Sequence, residues 1–317
     1  MLHSCMLGEP AAQNVWPESG SSLLKRVMND RFSGPSSEID HGDIAQVFNS
    51  VDIPSCPSIV NEVLLEAQRD EPDLNRLAAL FEKDPGMSAV VIKLANSAMF
   101  GGRFPVDSVR RALERLGTRN VVSVVLAAGL RASLEGQSPE LVERFWRRAA
   151  SLATASGLIA RRLYGVSPDS AYLYGLFRDA AVPVLMRRFP DYGEKIENGA
   201  MHDMTRIEAE NANFPYSHAV IGYLLAQNWK LPAVVAQAIR FHHEPDIFEL
   251  TESELPSGAL TLIAAAHMAD HLISGVLGER DGELDSSGFL RAQVHLGISD
   301  EDLADLTESL EGALNTP

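Results

Sequence analysis

The segment 167–190, SPDSAYLYGLFRDAAVPVLMRRFP, constrains the fold more than any other part of the chain. Apolar residues occupy nearly every side between positions 171 and 186, so a helix here is greasy all round and has to be covered on every face. Ser167 and Pro168 suit an N-cap and a first turn, and Arg187 and Arg188 suit the negative end of the helix dipole. The pattern predicts one continuous buried helix with Arg178 and Asp179 near its middle. A charge in such a place is costly unless a partner or a cation meets it. Other segments must bring that partner.

Helical spacing of apolar residues recurs on both sides of this stretch, punctuated by proline. It predicts helices over 37–48, 58–69, 73–84, 85–96, 109–116, 118–134 and 139–164. After the central segment come two short helices within 191–213, then 216–229, 232–243, 256–277 and two more from position 286. Residues 1–37, rich in Ser, Gly, Pro and Glu, are expected to be a mostly flexible tail. No β alternation, glycine-rich phosphate loop or internal repeat stands out, so the expected class is all-α with about a dozen helices.

Composition narrows the function. Against 27 basic residues stand 43 acidic ones, a net charge of −16, which repels phosphate backbones and disfavours general nucleic-acid binding. Cys5 and Cys56 are the only cysteines and share no metal-ligand spacing, as expected in a reducing compartment. No apolar run reaches the roughly eighteen residues of a membrane span, and the start MLHSCMLGEP lacks the features of a signal peptide. The expectation is a cytoplasmic protein.

Polar residues on the apolar helices mark where chemistry could occur. They are Arg147–Arg148, Arg178–Asp179, His218, His242–His243 and the set His267, Asp270, His271. Histidine and aspartate gathered from separate helices are what a divalent metal needs to lower the pKa of a bound water. Plainer roles compete. His242–His243 precedes a proline and suits a helix end, and His267 and His271 suit one core-packed and one partly exposed ring. Arg147, Arg148, Arg161 and Arg162 suit a solvated face, and Arg178 could snorkel outward. Asp179 differs, because even its plainest role requires a cation beside it.

Several segments, in order, resemble one known family. IPSCPSIVNEVL, LAALFEKDPGMSAVVIKLANSAMFGG and VDSVRRALERLGTRNVVSVVLA are similar to the first half of an HDOD domain. Its most specific marks are Lys83-Asp84-Pro85 and Asn96-Ser97-Ala98 followed by Phe100-Gly101. FWRRAASLA, YLYGLFRDAAVPVL, YSHAVIGYLLAQNWKLP and AIRFHHEP match the second half. The likeness runs over about 52–273 and implies a relative of the HD-type metal phosphohydrolases found in bacterial signalling proteins. It implies two packed subdomains, 52–135 and an HD-like 136–280, after a helix and linker at 38–51 and before acidic C-terminal helices at 281–317. Asp84, Pro85, Asn96 and Ser97 are then structural, with Asn96 fixing the turn between two helices.

In catalytic HD enzymes the position matching Arg148 is histidine, and the name-giving His-Asp pair matches Arg178 and Asp179. Asp270 matches the aspartate that closes the metal site, and His218 and His242 or His243 match extra ligands of two-metal relatives. Arginine stays protonated and has no lone pair for a metal. Arg148 or Arg178 is therefore expected to pair with Asp179 and Asp270 where a cation would sit, with no catalytic residue, metal or cofactor. The function implied is a non-catalytic signalling output or adaptor module acting on a protein partner. Two alternatives stay open. One is residual metal-dependent phosphoester cleavage by Asp179, His218, His242, His243 and Asp270; the other is a nucleotide ligand held through its phosphate by Arg148 and Arg178.

Overall fold

In the computed structural model, residues 47, 50–67, 69, 71–96, 100, 102, 104–133, 139–200, 204–277 and 286–314 are described. All belong to one unit, residues 40–317. The expected 1–37 tail, most of the 37–48 helix, and Ser97 lie outside them.

The described secondary structure is helical, without strands. In chain order the helices are α1 (Ser58–Ala67), α2 (Leu74–Phe81), α3 (Pro85–Ala95), α4 (Val109–Ser133), α5 (Pro139–Ala160), α6 (Pro168–Phe177) and α7 (Val182–Arg188). Then follow α8 (Tyr192–Ala200), α9 (Arg206–Asn213), α10 (His218–Asn228), α11 (Ala233–Phe241), α12 (Ser257–Leu277), α13 (Ser286–Leu296) and α14 (Asp300–Leu314), with a 3-10 turn at Ile247–Glu249.

Local chemistry sets these boundaries. Asp73 and Asp84 cap α2 and α3 by accepting from the backbone N–H groups of Asn75 and Arg76, and of Gly86 and Met87. Ser167 and Ser217 cap α6 and α10, and Thr205 with Glu208 forms a reciprocal capping box on α9. The two helices expected at 109–116 and 118–134 are one 25-residue run with a break at Gly117, whose φ of 71° favours glycine.

The expected continuous helix over 167–190 is corrected. It divides into α6 and α7, with a turn at 178–181 between them. Pro183 causes the break: it has no N–H, and its ring would collide with the carbonyl of Asp179 four residues back. That carbonyl accepts instead from Val182 N (2.9 Å). The Arg-Asp pair thus sits on a turn, where both side chains can face one point.

The core forms around α6, whose residues from Ala171 to Phe177 are all buried. Its tightest neighbour is α5. A Cβ on Gly175 would lie 2.9 Å from the backbone of Ala153, so only glycine permits that approach. α12 covers α5, α6 and α11, and α10 pairs with α11. α1, α2 and α3 pack on α4, which also meets α6. The segment before α1 is tied to this core, because the buried Trp229 ring donates its Nε1–H to Pro54 O (2.9 Å) and meets Phe177 edge-on.

The sequence expectation that nothing here is apolar enough for a membrane span also needs correction. Ser257–Val276 in α12 is long and apolar enough by length and composition, because its polar residues are mostly uncharged. In this fold 67% of that stretch is buried among the other helices.

Candidate functional site

Five pieces of chain converge beside α6. Arg148 comes from the middle of α5, Arg178 and Asp179 from the α6–α7 turn, His218 from the first position of α10, and His242 and His243 from the end of α11. Asp270 arrives from α12. Arg178, His218, His242 and Asp270 are buried, and Arg148, Asp179 and His243 are partly so.

Two guanidiniums and two carboxylates make one half of the pocket. Arg178 donates from Nε (3.0 Å) and Nη2 (2.8 Å) to Asp179 Oδ2, and from Nη1 to Asp270 Oδ2. Arg148 Nη2 donates to Asp270 Oδ1 at 2.9 Å. Both oxygens of Asp270 therefore accept from arginine, and Arg178 lies between the carboxylates. Burial raises the Asp179 pKa, but the Arg178 guanidinium and the neighbouring His242 ring more than offset this and hold it well below the usual carboxylate range. For Asp270, burial pushes upward against the pull of Arg178 and Arg148 and leaves it raised.

Imidazoles make the other half. His218 Nε2 lies 3.2 Å from His242 Nε2 and 3.0 Å from His243 Nε2. The second oxygen of Asp179, Oδ1, is buried without a hydrogen bond, 3.5 Å from His218 Nε2 and 3.6 Å from His242 Nε2. Behind His218 stands Glu210 of α9, fully buried, whose Oε2 accepts from the His218 backbone N–H and faces Nδ1, both at 2.8 Å. Tyr192 of α8 donates its hydroxyl to Glu210 Oε1. Burial lowers the His242 pKa to about 4 and, with the two neighbouring rings, puts His243 well below its ordinary value.

The remaining candidates lie elsewhere or serve the fold. His267 packs edge-on against Phe248, its pKa lowered to about 4 chiefly by burial. His271 is exposed and stacks on Phe289 (3.9 Å). Of the HMADH pattern, Asp270 enters the pocket, while His267 borders it through a hydrogen bond to the His242 backbone. Arg147 points outward. Asn96 clamps the α3–α4 connection, donating from Nδ2 to Val106 O and accepting from Val106 N at Oδ1, both at 2.8 Å. Glu210 and Tyr192 escaped the sequence analysis because they sit in a polar segment, 191–213, with no apolar stripe to mark them as buried.

The resemblance to HD-type metal phosphohydrolases implies a divalent cation in this pocket. Between Asp179 and Asp270 the residues do not fit one, because the Arg178 guanidinium lies there and Arg148 and Arg178 each take one Asp270 oxygen. The imidazole half does fit, since its donors converge on an orphaned carboxylate oxygen.

Residues 53–245 match the HDOD domain, well over half of the chain. This chain belongs to the HDOD family. An uncharacterised protein of Treponema pallidum is 28% identical over 206 residues, covering 61% of this chain and 38% of that protein, so the chain spans under two-fifths of that relative's length. An HDOD domain protein of unknown function from Geobacter sulfurreducens has the same fold, with a TM-score of 0.67 at 21% identity over 91% of this chain and 98% of that one. A Shewanella amazonensis protein provisionally named a phosphohydrolase gives 0.65 at 24% identity over 84% and 94%.

Proposed function

We propose that this chain is a non-hydrolytic signalling module that works by engaging a protein partner. The observation that carries this reading is the Arg178 guanidinium bonded to both Asp179 and Asp270, in the space where a hydrolase of this fold needs a metal and its water. A group that is always charged and donates only cannot polarise a phosphoester through a lone pair or deliver hydroxide. Membership of the HDOD family supports the signalling class. The nucleotide alternative gains little support, because three nitrogens of Arg178 already donate to carboxylates.

One observation favours a second reading. The three imidazoles beside Asp179 are a donor set that could hold one metal ion and cleave a phosphoester. A phosphodiesterase assay with added manganese, on cyclic nucleotides and a generic aryl phosphodiester, separates the two. The signalling reading expects no turnover above buffer. Turnover that disappears in His243→Gln overturns it. For the partner, affinity capture from the native cell with wild-type chain, repeated with surface substitutions on α1–α3, should recover a protein that the substituted chain loses.

A further inference from the structure

Hydrogen-bond roles around the three histidines leave too many acceptors facing one another. Glu210 Oε2 already accepts the His218 backbone N–H, and its Oε1 accepts the Tyr192 hydroxyl, so both oxygens act as acceptors. An ionised carboxylate only accepts. His218 Nδ1, 2.8 Å away, must then carry a proton, and in the neutral ring Nε2 presents a lone pair. His242 Nδ1 lies 2.7 Å from the Ile239 carbonyl and must also donate, so its Nε2 presents a lone pair too. Those two Nε2 atoms are 3.2 Å apart, and Asp179 Oδ1 lies within 3.6 Å of both. Lone pairs at such distances repel unless a cation, either a metal ion or a proton on one ring, lies among them.

Charge leads to the same place. Asp179 and Glu210 both lie beside His218, so the imidazole half of the pocket is bordered by two carboxylates that favour a positive charge there. The distances suit an ion. Zinc–nitrogen bonds of about 2.0–2.1 Å put tetrahedral ligand atoms about 3.4 Å apart, and the Nε2 pairs stand at 3.0 and 3.2 Å. Three imidazoles with one carboxylate oxygen suit Zn²⁺, Co²⁺ or Ni²⁺, whereas Mg²⁺ and Ca²⁺ prefer all-oxygen shells.

We infer that His218, His242, His243 and Asp179 Oδ1 form a site for one transition-metal ion of the zinc class. Asp270 takes no part, because Arg148 and Arg178 hold both its oxygens. Glu210 and the Ile239 carbonyl are its positioning partners, each fixing an imidazole by its far nitrogen. The inference revises the sequence expectation of a metal-free pocket and goes beyond the signalling role. It concerns binding and does not require turnover.

The test uses the full chain without a polyhistidine tag, stripped with chelator and then dialysed against Zn²⁺ or Co²⁺. Elemental analysis should give one ion per chain, the cobalt form should absorb in the visible, and Zn²⁺ should raise the melting temperature. His243→Gln, at a partly exposed position, should lose the ion while keeping its far-ultraviolet dichroism, and Glu210→Gln should weaken binding about 10- to 100-fold. Should His242→Gln fail to fold, His243→Gln decides. Asp270→Asn should keep the ion. Wild-type chain that retains no ion overturns the inference, as does loss of the ion in Asp270→Asn with retention in His243→Gln. Ion without phosphodiester turnover leaves both proposals standing, whereas ion with turnover supports the site and overturns the signalling role alone.

Discussion

Asp179 and Asp270 face the same guanidinium, yet they sit in different chemical worlds. Asp270 is enclosed in α12 with an arginine on each oxygen, so both are already engaged by fixed positive charge. Asp179 sits on a turn and divides its oxygens, one toward Arg178 and the other toward the histidines. A side chain that replaces an ion's charge does not replace its coordination. Guanidinium neutralises and fixes a carboxylate in one plane but leaves no open position for a substrate oxygen. The arginine half of the pocket is therefore a brace, while the histidine half keeps the donor chemistry of a binding site.

The largest effect expected on this contrast is from Asp270→Ala. It leaves Arg148 and Arg178 short of a buried partner and should cost about 3–5 kcal/mol, read as a lower urea midpoint. Asp179→Ala should cost less, because that side chain is 15% exposed against 2% for Asp270. If the order is reversed, or if Asp179→Ala melts at the wild-type temperature, the brace is misplaced.

Acid should act mainly on the histidine half. His242 is held at about 4 in the fold against an ordinary 6.5, so between those values the unfolded chain binds the extra proton. Stability from this ring is complete above about pH 6.5 and is lost as pH falls toward 4. In metal-free protein His242 alone should cost about 2 kcal/mol by pH 5. Asp179, whose pKa is depressed, adds a loss only below the ordinary carboxylate range. A flat melting temperature between pH 7 and 5 would contradict this protonation pattern.

Gly175→Ala probes the support shared by both halves. Its Cβ would meet the Ala153 backbone at 2.9 Å, and separating α5 from α6 should cost about 1–3 kcal/mol while weakening the Arg148–Asp270 bond. Asn96→Ala is the smallest change, about 1–2 kcal/mol for two lost hydrogen bonds to Val106. It lies outside the pocket, so calorimetry should show lower stability with an unchanged metal content.

Much of this was legible in the sequence because helices leave periodic traces. The apolar run 171–186, the cap Ser167 and the proline punctuation all correspond to observed elements. The break at 178–181 was also legible in principle: Pro183 stood in plain view and was outweighed by the apolar pattern around it. The meeting of Arg178 with Asp270, 92 residues apart, followed from the cost of a buried charge combined with the family resemblance. Which oxygen of Asp179 faces which neighbour could not be read, because it depends on a rotamer set by tertiary packing. Nor could Glu210 and Tyr192, whose burial arises only when α8 and α9 fold against the His218 end of α10.

The chain of hydroxyl, carboxylate and ring from Tyr192 through Glu210 to His218 has a mechanical consequence. It threads the α8–α9 hairpin to the heart of the molecule through polar groups that water cannot reach. The hairpin cannot peel away without leaving the buried His218 short of the partner for its backbone N–H and Nδ1, so whatever grips or frees His218 must also change how readily that hairpin opens. Amide exchange along residues 192–213 would then respond to an event some distance beneath the surface.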